Sequence, residues 1–94
     1  MTYKPLPKSL TIKPSKINGL GLFATQDIKA KTQLGITHIL INDELIRTPL
    51  GGFINHKETP NCVRITVGNN SYLHTLKDIN KGEELTLKYT IYKV

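Results

Sequence analysis

The sequence has a single cysteine, Cys62, no tryptophan, and only six aromatic residues among its 94 positions. One cysteine cannot form an internal disulfide, which excludes a disulfide-stapled scaffold and favours a reducing, cytoplasmic compartment. No apolar run approaches the roughly 18 residues of a membrane span, and the first residues lack the apolar centre of a signal peptide. We therefore expect an intracellular chain with no membrane partner.

Arginine and clustered metal ligands are also scarce. Arg47 and Arg64 are the only arginines, and the lysines are scattered, so the net charge of +6 fits solubility better than base recognition. Few aromatic residues are left to stack on bases. A nucleic-acid partner is therefore not favoured, although a basic β module that binds nucleic acid stays an alternative. The three histidines and Cys62 show no paired ligand spacing, so we expect no metal site.

Length and hydrophobic pattern limit the architecture. A chain of 94 residues makes one domain, which we place at 10–94 after a mobile segment at 1–9. Apolar residues alternate with polar ones in short runs that are separated by Gly and Asn turn signals. These runs lie at 10–13, 20–24, 34–41, 62–67, 71–76 and 84–89. They predict a mostly β domain without a helix.

The first motif is Gly19-Leu20-Gly21, directly after Asn18. Two glycines at this spacing are typical of a tight hairpin turn, because glycine adopts positive φ without steric cost. They also allow a ligand to lie against the backbone, because no side chain intervenes. By itself this motif favours the hairpin turn.

The second motif is Asn55-His56, followed at a short distance by Pro60-Asn61-Cys62. An Asn side chain offers both a hydrogen-bond donor and an acceptor, which suits a zwitterionic ligand or a purine edge. The plainer interpretation of His56 is a core histidine with a local backbone partner. For Cys62 we expect a small buried hydrophobe.

The third motif is Gly82-Glu83-Glu84-Leu85, which leads to Tyr89 at the end of an alternating strand. Taken alone, glutamates at a strand start are solvated or cap a turn, and a tyrosine at a strand end is half-buried packing. No single motif therefore assigns a function.

In this order and spacing, the three motifs resemble the SET domain of protein lysine methyltransferases, over nearly the whole chain. The resemblance implies a SET-domain (β-clip) fold of small sheets with a C-terminal pseudoknot. It also implies transfer of a methyl group from S-adenosylmethionine to a lysine side-chain amine of a protein substrate. As a small single-domain chain, it is similar to viral and bacterial members of the family.

The resemblance also assigns the cofactor site. The backbone of Gly19, Leu20 and Gly21 is expected to hold polar groups of S-adenosylmethionine, and Asn55 and His56 are expected to contact its amino-acid and adenine parts. Tyr89 is expected to be the catalytic tyrosine, at the junction of cofactor and substrate, where its hydroxyl orders the amine.

Further residues are assigned to the substrate channel. Tyr92 is expected to form a wall of the lysine channel. His38 lies on the strand where the family often places an aromatic near the active site, although a core histidine is the favoured interpretation. Asp43 and Glu44 form an acidic pair that would receive a basic peptide, bound as an extended strand.

The sequence departs from the family pattern in ways that concern the substrate. Lys57 follows Asn-His where a serine is common, and Lys88 precedes Tyr89 where an aspartate is common. An inactive SET-like binding module stays a separate alternative, which loss of Asn55 or Tyr89 would have favoured, and both are present. The sequence has no cysteine-rich segment after Tyr89, so we hypothesise a homodimer in which a second protomer completes the channel.

Overall fold

A computed structural model describes residues 6–88 of the chain. Within that range the chain forms eight strands and one helical turn: β1 Leu10–Pro14, β2 Leu20–Ala24, β3 Gln33–Ile41, β4 Glu44–Arg47, α1 Pro49–Gly52, β5 Asn55–His56, β6 Cys62–Val67, β7 Asn70–Thr75 and β8 Glu84–Leu87. The mostly β prediction is confirmed. The helix found in residues 6–88 is too short to cross a membrane.

Strand order places the last strand in the middle of the sheet. The order is β1-β2-β8-β6-β7-β3-β4, and the two-residue β5 pairs with β8 from outside this path. β8 runs antiparallel to β2 but parallel to β5 and β6. Consequently β8 adjoins the strands that carry the first two motifs. The predicted pseudoknot depends on the course of the chain after Lys88, which lies outside the described residues.

The hydrophobic core takes most of its residues from these strands. Its centre consists of side chains with no exposed surface, namely Leu22, Leu73, Ile79 and Leu85. Burying an aliphatic side chain of this size stabilises a fold by about 1.5–3 kcal/mol. The pairing of Leu22 with Leu85 shows how this core holds β2 against β8, and therefore holds the motifs together.

Two elements differ from the sequence prediction. The segment Asn42-Asp43, which the sequence marks as a strand end, is a two-residue hairpin turn with φ of 49° and 64°, and β4 follows it. The prediction of no helix is wrong, because Thr48 caps the helical turn α1 and Pro49 occupies its first turn. β4 and α1 are each four residues long, which is too short for a clear hydrophobic period in the sequence.

Candidate functional site

Asn55 lies at the centre of a buried polar cluster. Only 8% of its surface is exposed. Its Nδ2 atom lies within hydrogen-bonding distance of four acceptors: Ser15 Oγ at 3.0 Å, Asn18 O at 3.2 Å, Leu20 O at 3.1 Å and Glu84 Oε2 at 2.9 Å. The first and second motifs therefore meet here, and the third contributes Glu84.

Strand pairing explains how distant positions reach this cluster. Asn55 begins β5 and pairs with Thr86 of β8. On the other side of β8, Glu84 pairs with Phe23 of β2, next to the glycine motif. The three motifs are separated in sequence, but β8 is their common neighbour.

Gly21 is required for this packing. A Cβ atom at Gly21 would overlap the Glu84 carboxylate and would lie 3.0 Å from Nδ2 of Asn55. Gly19 is different, since it has φ of 43° and open space around it. The sequence motif thus combines a glycine that forms the turn with one that lets Asn55 and Glu84 approach the backbone.

Ser15 and Glu84 are members of the cluster that the sequence did not reveal. The Ser15 hydroxyl lies 2.9 and 2.8 Å from the two carboxylate oxygens of Glu84, and it accepts a hydrogen bond from the Ile17 amide. Glu83, in contrast, caps a turn by accepting from the Asn80 amide, as the plainer interpretation of this motif holds. Glu83 and Glu84 are neighbours in sequence, and only the long-range pairing of β8 gives them different roles.

The cluster has more acceptors than donors. An Asn amide has two hydrogens, so it cannot satisfy four acceptors fully, and each carbonyl or carboxylate oxygen can accept more than one hydrogen bond. Within residues 6–88, no lysine or arginine forms an ion pair with Glu84. A site of this kind suits a ligand with positively charged groups or N–H donors.

His56 lies beside the cluster but turns toward the surface. Its side chain is 36% exposed, and Nε2 lies 2.8 Å from Oε2 of Glu58. Glu58 also lies 3.6 Å from Nζ of Lys88 at the end of β8. The hydrogen bond with His56, and then the charge of Lys88, lower the pKa of the exposed Glu58 carboxyl. His56 is therefore not a core histidine.

Asn61 and Cys62 have structural roles. Asn61 donates to the backbone oxygen of Glu84 at 2.9 Å and accepts from the backbone amide of Thr86 at 2.8 Å, which fixes β8. Cys62 is 1% exposed, and burial raises the pKa of its thiol to about 12. The expectation of a small buried hydrophobe is confirmed for Cys62.

The structure does not bring His38, Asp43 or Glu44 into the cluster. His38 lies on β3, with Nδ1 3.0 Å from Thr37 Oγ1 and 3.4 Å from Nη1 of Arg64. Asp43 and Glu44 are exposed at the β3–β4 hairpin, next to the terminal strand of the sheet. Tyr89 and Tyr92 lie outside the described residues. No described hydrogen bond joins His38, Asp43 or Glu44 to Asn55.

His38 should make the stability of the fold depend on pH. Burial, and then the charges of Arg64 and Arg47, lower its pKa from the ordinary value of 6.5. The folded state therefore favours the neutral imidazole, and this contribution to stability is lost as pH falls below 6.5 through the lowered pKa. Urea unfolding at pH 7.5 and 5.0 should show a larger loss of free energy for wild type than for His38→Gln.

A second histidine variant controls for the removal of a titrating side chain. His74→Gln changes a half-buried histidine on β7 whose register partner is Val63, so it lies on the other side of the sheet from Arg64. It should leave most of the wild-type pH dependence in place. The same pH dependence in wild type and His38→Gln would contradict the assignment to His38.

A comparison with known protein families agrees with the resemblance of the three motifs. The family model described as the SET domain matches residues 41–90, slightly more than half of the chain. No curated protein sequence matches the chain.

Solved structures match over nearly its whole length. One, described as a histone methyltransferase of Plasmodium falciparum, has a TM-score of 0.75 at 24% identity and covers 93% of this chain and 97% of its own. Another, the methyltransferase domain of human PR domain-containing protein 2, has a TM-score of 0.74 at 19% identity and covers 95% and 82%. At these identities the likeness confirms the fold.

Proposed function

This chain belongs to the SET-domain family, and on that premise we propose that it is an S-adenosylmethionine-dependent protein lysine N-methyltransferase. One structural observation supports the proposal in addition to family membership. Asn55 is held at one point between the carbonyl groups around Gly19 and the Glu84 carboxylate of β8. The three motifs that resemble the family thus form one site, and Tyr89 follows β8 by two positions.

The residues present fit the proposed cofactor. S-adenosylmethionine would supply a methyl group on a positively charged sulfur, together with an ammonium group. The excess of acceptors around Asn55 suits such positive groups, and Gly21 leaves room for the Glu84 carboxylate beside Asn55. Asn55, His56 and the backbone of 19–21 would hold the cofactor.

The rest of the chemistry requires positioning of the acceptor lysine. Holding two reacting groups in line can supply roughly 7–11 kcal/mol of the barrier reduction. The amine must also be neutral, although the ordinary pKa of lysine is about 10.4. A narrow channel that excludes water lowers that pKa, as does a nearby positive charge. We assign the hydroxyl of Tyr89 to orienting the amine and Tyr92 to the channel wall.

The acceptor lysine would lie in an extended protein segment, and the edge of β4 can receive one. The Thr48 amide donates to the Thr37 carbonyl at 2.9 Å. Since hydrogen-bonded pairs alternate along an antiparallel ladder, the amides of Leu45 and Arg47 point away from β3. An extended peptide could pair with them, close to the acidic Asp43 and Glu44.

Cofactor binding provides the first test. Calorimetry should show one S-adenosylmethionine per chain, and binding should persist when a chelator is added. Asn55→Ala should weaken binding about 5- to 150-fold, since losing a buried polar partner typically costs about 1–3 kcal/mol. Asn69→Ala, in the exposed β6–β7 turn, should bind like wild type. No binding at millimolar ligand would refute the proposal.

Transfer to protein provides the second test of the same proposal. Incubation with S-adenosylmethionine labelled in its methyl group and a protein extract should produce labelled protein bands, with the label on lysine. If the protein binds the cofactor normally but labels nothing in repeated extracts, the chain is an inactive binding module and the enzyme assignment is wrong.

A further inference from the structure

One side of the sheet formed by β3, β4, β6 and β7 is apolar and faces away from the core. We call this side the open face. The register aligns its residues in rows: Val67, Asn70, Ile39 and Ile46 form one row, and Ile65, Tyr72 and Ile36 form the next. The apolar members of the open face are Ile36, Ile39, Ile41, Ile46, Val63, Ile65, Val67 and Tyr72.

Four of these side chains are exposed, and Ile36, Ile39, Val63 and Tyr72 are half-buried. The exposed fraction is 65% for Val67, 47% for Ile46, 46% for Ile41 and 40% for Ile65. Monomeric proteins seldom expose contiguous apolar patches larger than a few hundred Å². Large apolar side chains exposed together on one side of a sheet are typical of an interaction surface.

Charge is excluded from the open face as well. None of its four strands contains a lysine, although the net charge of the chain is +6. Arg47 pairs with His38, and Arg64 pairs with Leu73, so both arginines belong to the opposite side of the sheet. Glu44, at the hairpin end, is the acidic residue on this side, and His74, the register partner of Val63, adds an imidazole to it.

We propose that the open face is the interface of a symmetric homodimer, in which two copies pack sheet against sheet. Two chains with a net charge of +6 repel each other over most of their surface. Contact between two open faces avoids this repulsion, because the four strands contain no lysine. A two-fold axis brings the same patch of both copies together, so apolar surface meets apolar surface. Homodimer interfaces are more apolar than transient ones, as this face is.

The size of the core supports a second copy as the occupant. Twelve apolar residues form the buried core of the described chain, and small domains bury a smaller fraction of their surface than large ones. Packing two open faces would withdraw up to eight more apolar side chains per chain from water. The two sheets would lie about 10 Å apart, as in other face-to-face packings.

Sedimentation equilibrium tests the proposal without reference to activity. Wild type should have a mass of twice 10.6 kDa at micromolar concentration. Ile46→Lys and Val67→Lys should each raise the dissociation constant at least 10-fold, because each places a charge inside the interface. Leu45→Lys is the matched control, since it adds the same charge to the next residue of β4 on the opposite side.

Each other outcome refutes this interface. A wild-type monomer at about 100 µM, or larger open-ended assemblies, would contradict a closed dimer. Dissociation by Leu45→Lys, with Ile46→Lys still dimeric, would assign the contact to the other side of the sheet or to the β4 edge. If a lysine variant fails to fold by circular dichroism, Ile46→Thr keeps a strand-forming residue and should still weaken the dimer.

Discussion

Replacing Tyr89 with phenylalanine should lower kcat about 10²–10³-fold, as does the loss of one preorganised polar group in other enzymes. The change removes one oxygen and keeps the ring, so the fold should persist. β8 ends two residues before Tyr89, at Leu87, which pairs with His56 of the second motif. Affinity for S-adenosylmethionine should change much less, because the hydroxyl interaction strengthens mainly during transfer.

Steady-state kinetics with an identified acceptor, together with calorimetry for the cofactor, would separate these effects. Tyr72→Phe is the matched control, because Tyr72 lies on the open face and its hydroxyl accepts only from Asn70 among the described side chains. That variant should retain wild-type kcat. Near-normal kcat in Tyr89→Phe would move the role to Tyr92 and contradict the assignment of the catalytic tyrosine.

Local sequence patterns predicted the longer strands well. β2 and β6 have the predicted bounds, because their apolar runs are bounded by clear turn signals such as Asn18-Gly19 and Gly68-Asn69. β4 gave no such signal. All four of its residues are exposed, so no alternation between buried and solvated positions was present to read.

The site was predicted only in part. The resemblance assigned Asn55 and the glycine motif to one cofactor site, and in the structure Nδ2 of Asn55 lies within hydrogen-bonding distance of the Asn18 and Leu20 carbonyl oxygens. Ser15 and Glu84 could not be found this way, because their meeting depends on β8 lying between β2 and β6. Alternation along β8 predicts that Glu84 and Leu85 face opposite sides, but it does not show which distant residues lie on either side.

A second large effect is expected at Gly51, where alanine should lower the free energy of unfolding by about 1–3 kcal/mol, as overpacking does. A Cβ atom there would lie 2.5 Å from the Thr37 carbonyl oxygen. That oxygen is fixed in place, because it accepts a hydrogen bond from the Thr48 amide at 2.9 Å, while the Thr48 hydroxyl donates to the neighbouring Ile36 carbonyl at 2.6 Å. The clash is therefore with backbone that cannot move without loosening α1 from β3.

Gly52 provides the control in the next position of the same helical turn. Its added Cβ atom would meet Nε of Arg47 at 3.6 Å, an ordinary van der Waals distance. Alanine also favours a helix over glycine by up to about 1 kcal/mol, so Gly52→Ala should be neutral or slightly stabilising. Urea unfolding of both variants should therefore give changes of different sign or clearly different size. Equal changes would show that α1 is free to shift and that Gly51 does not set its distance from β3.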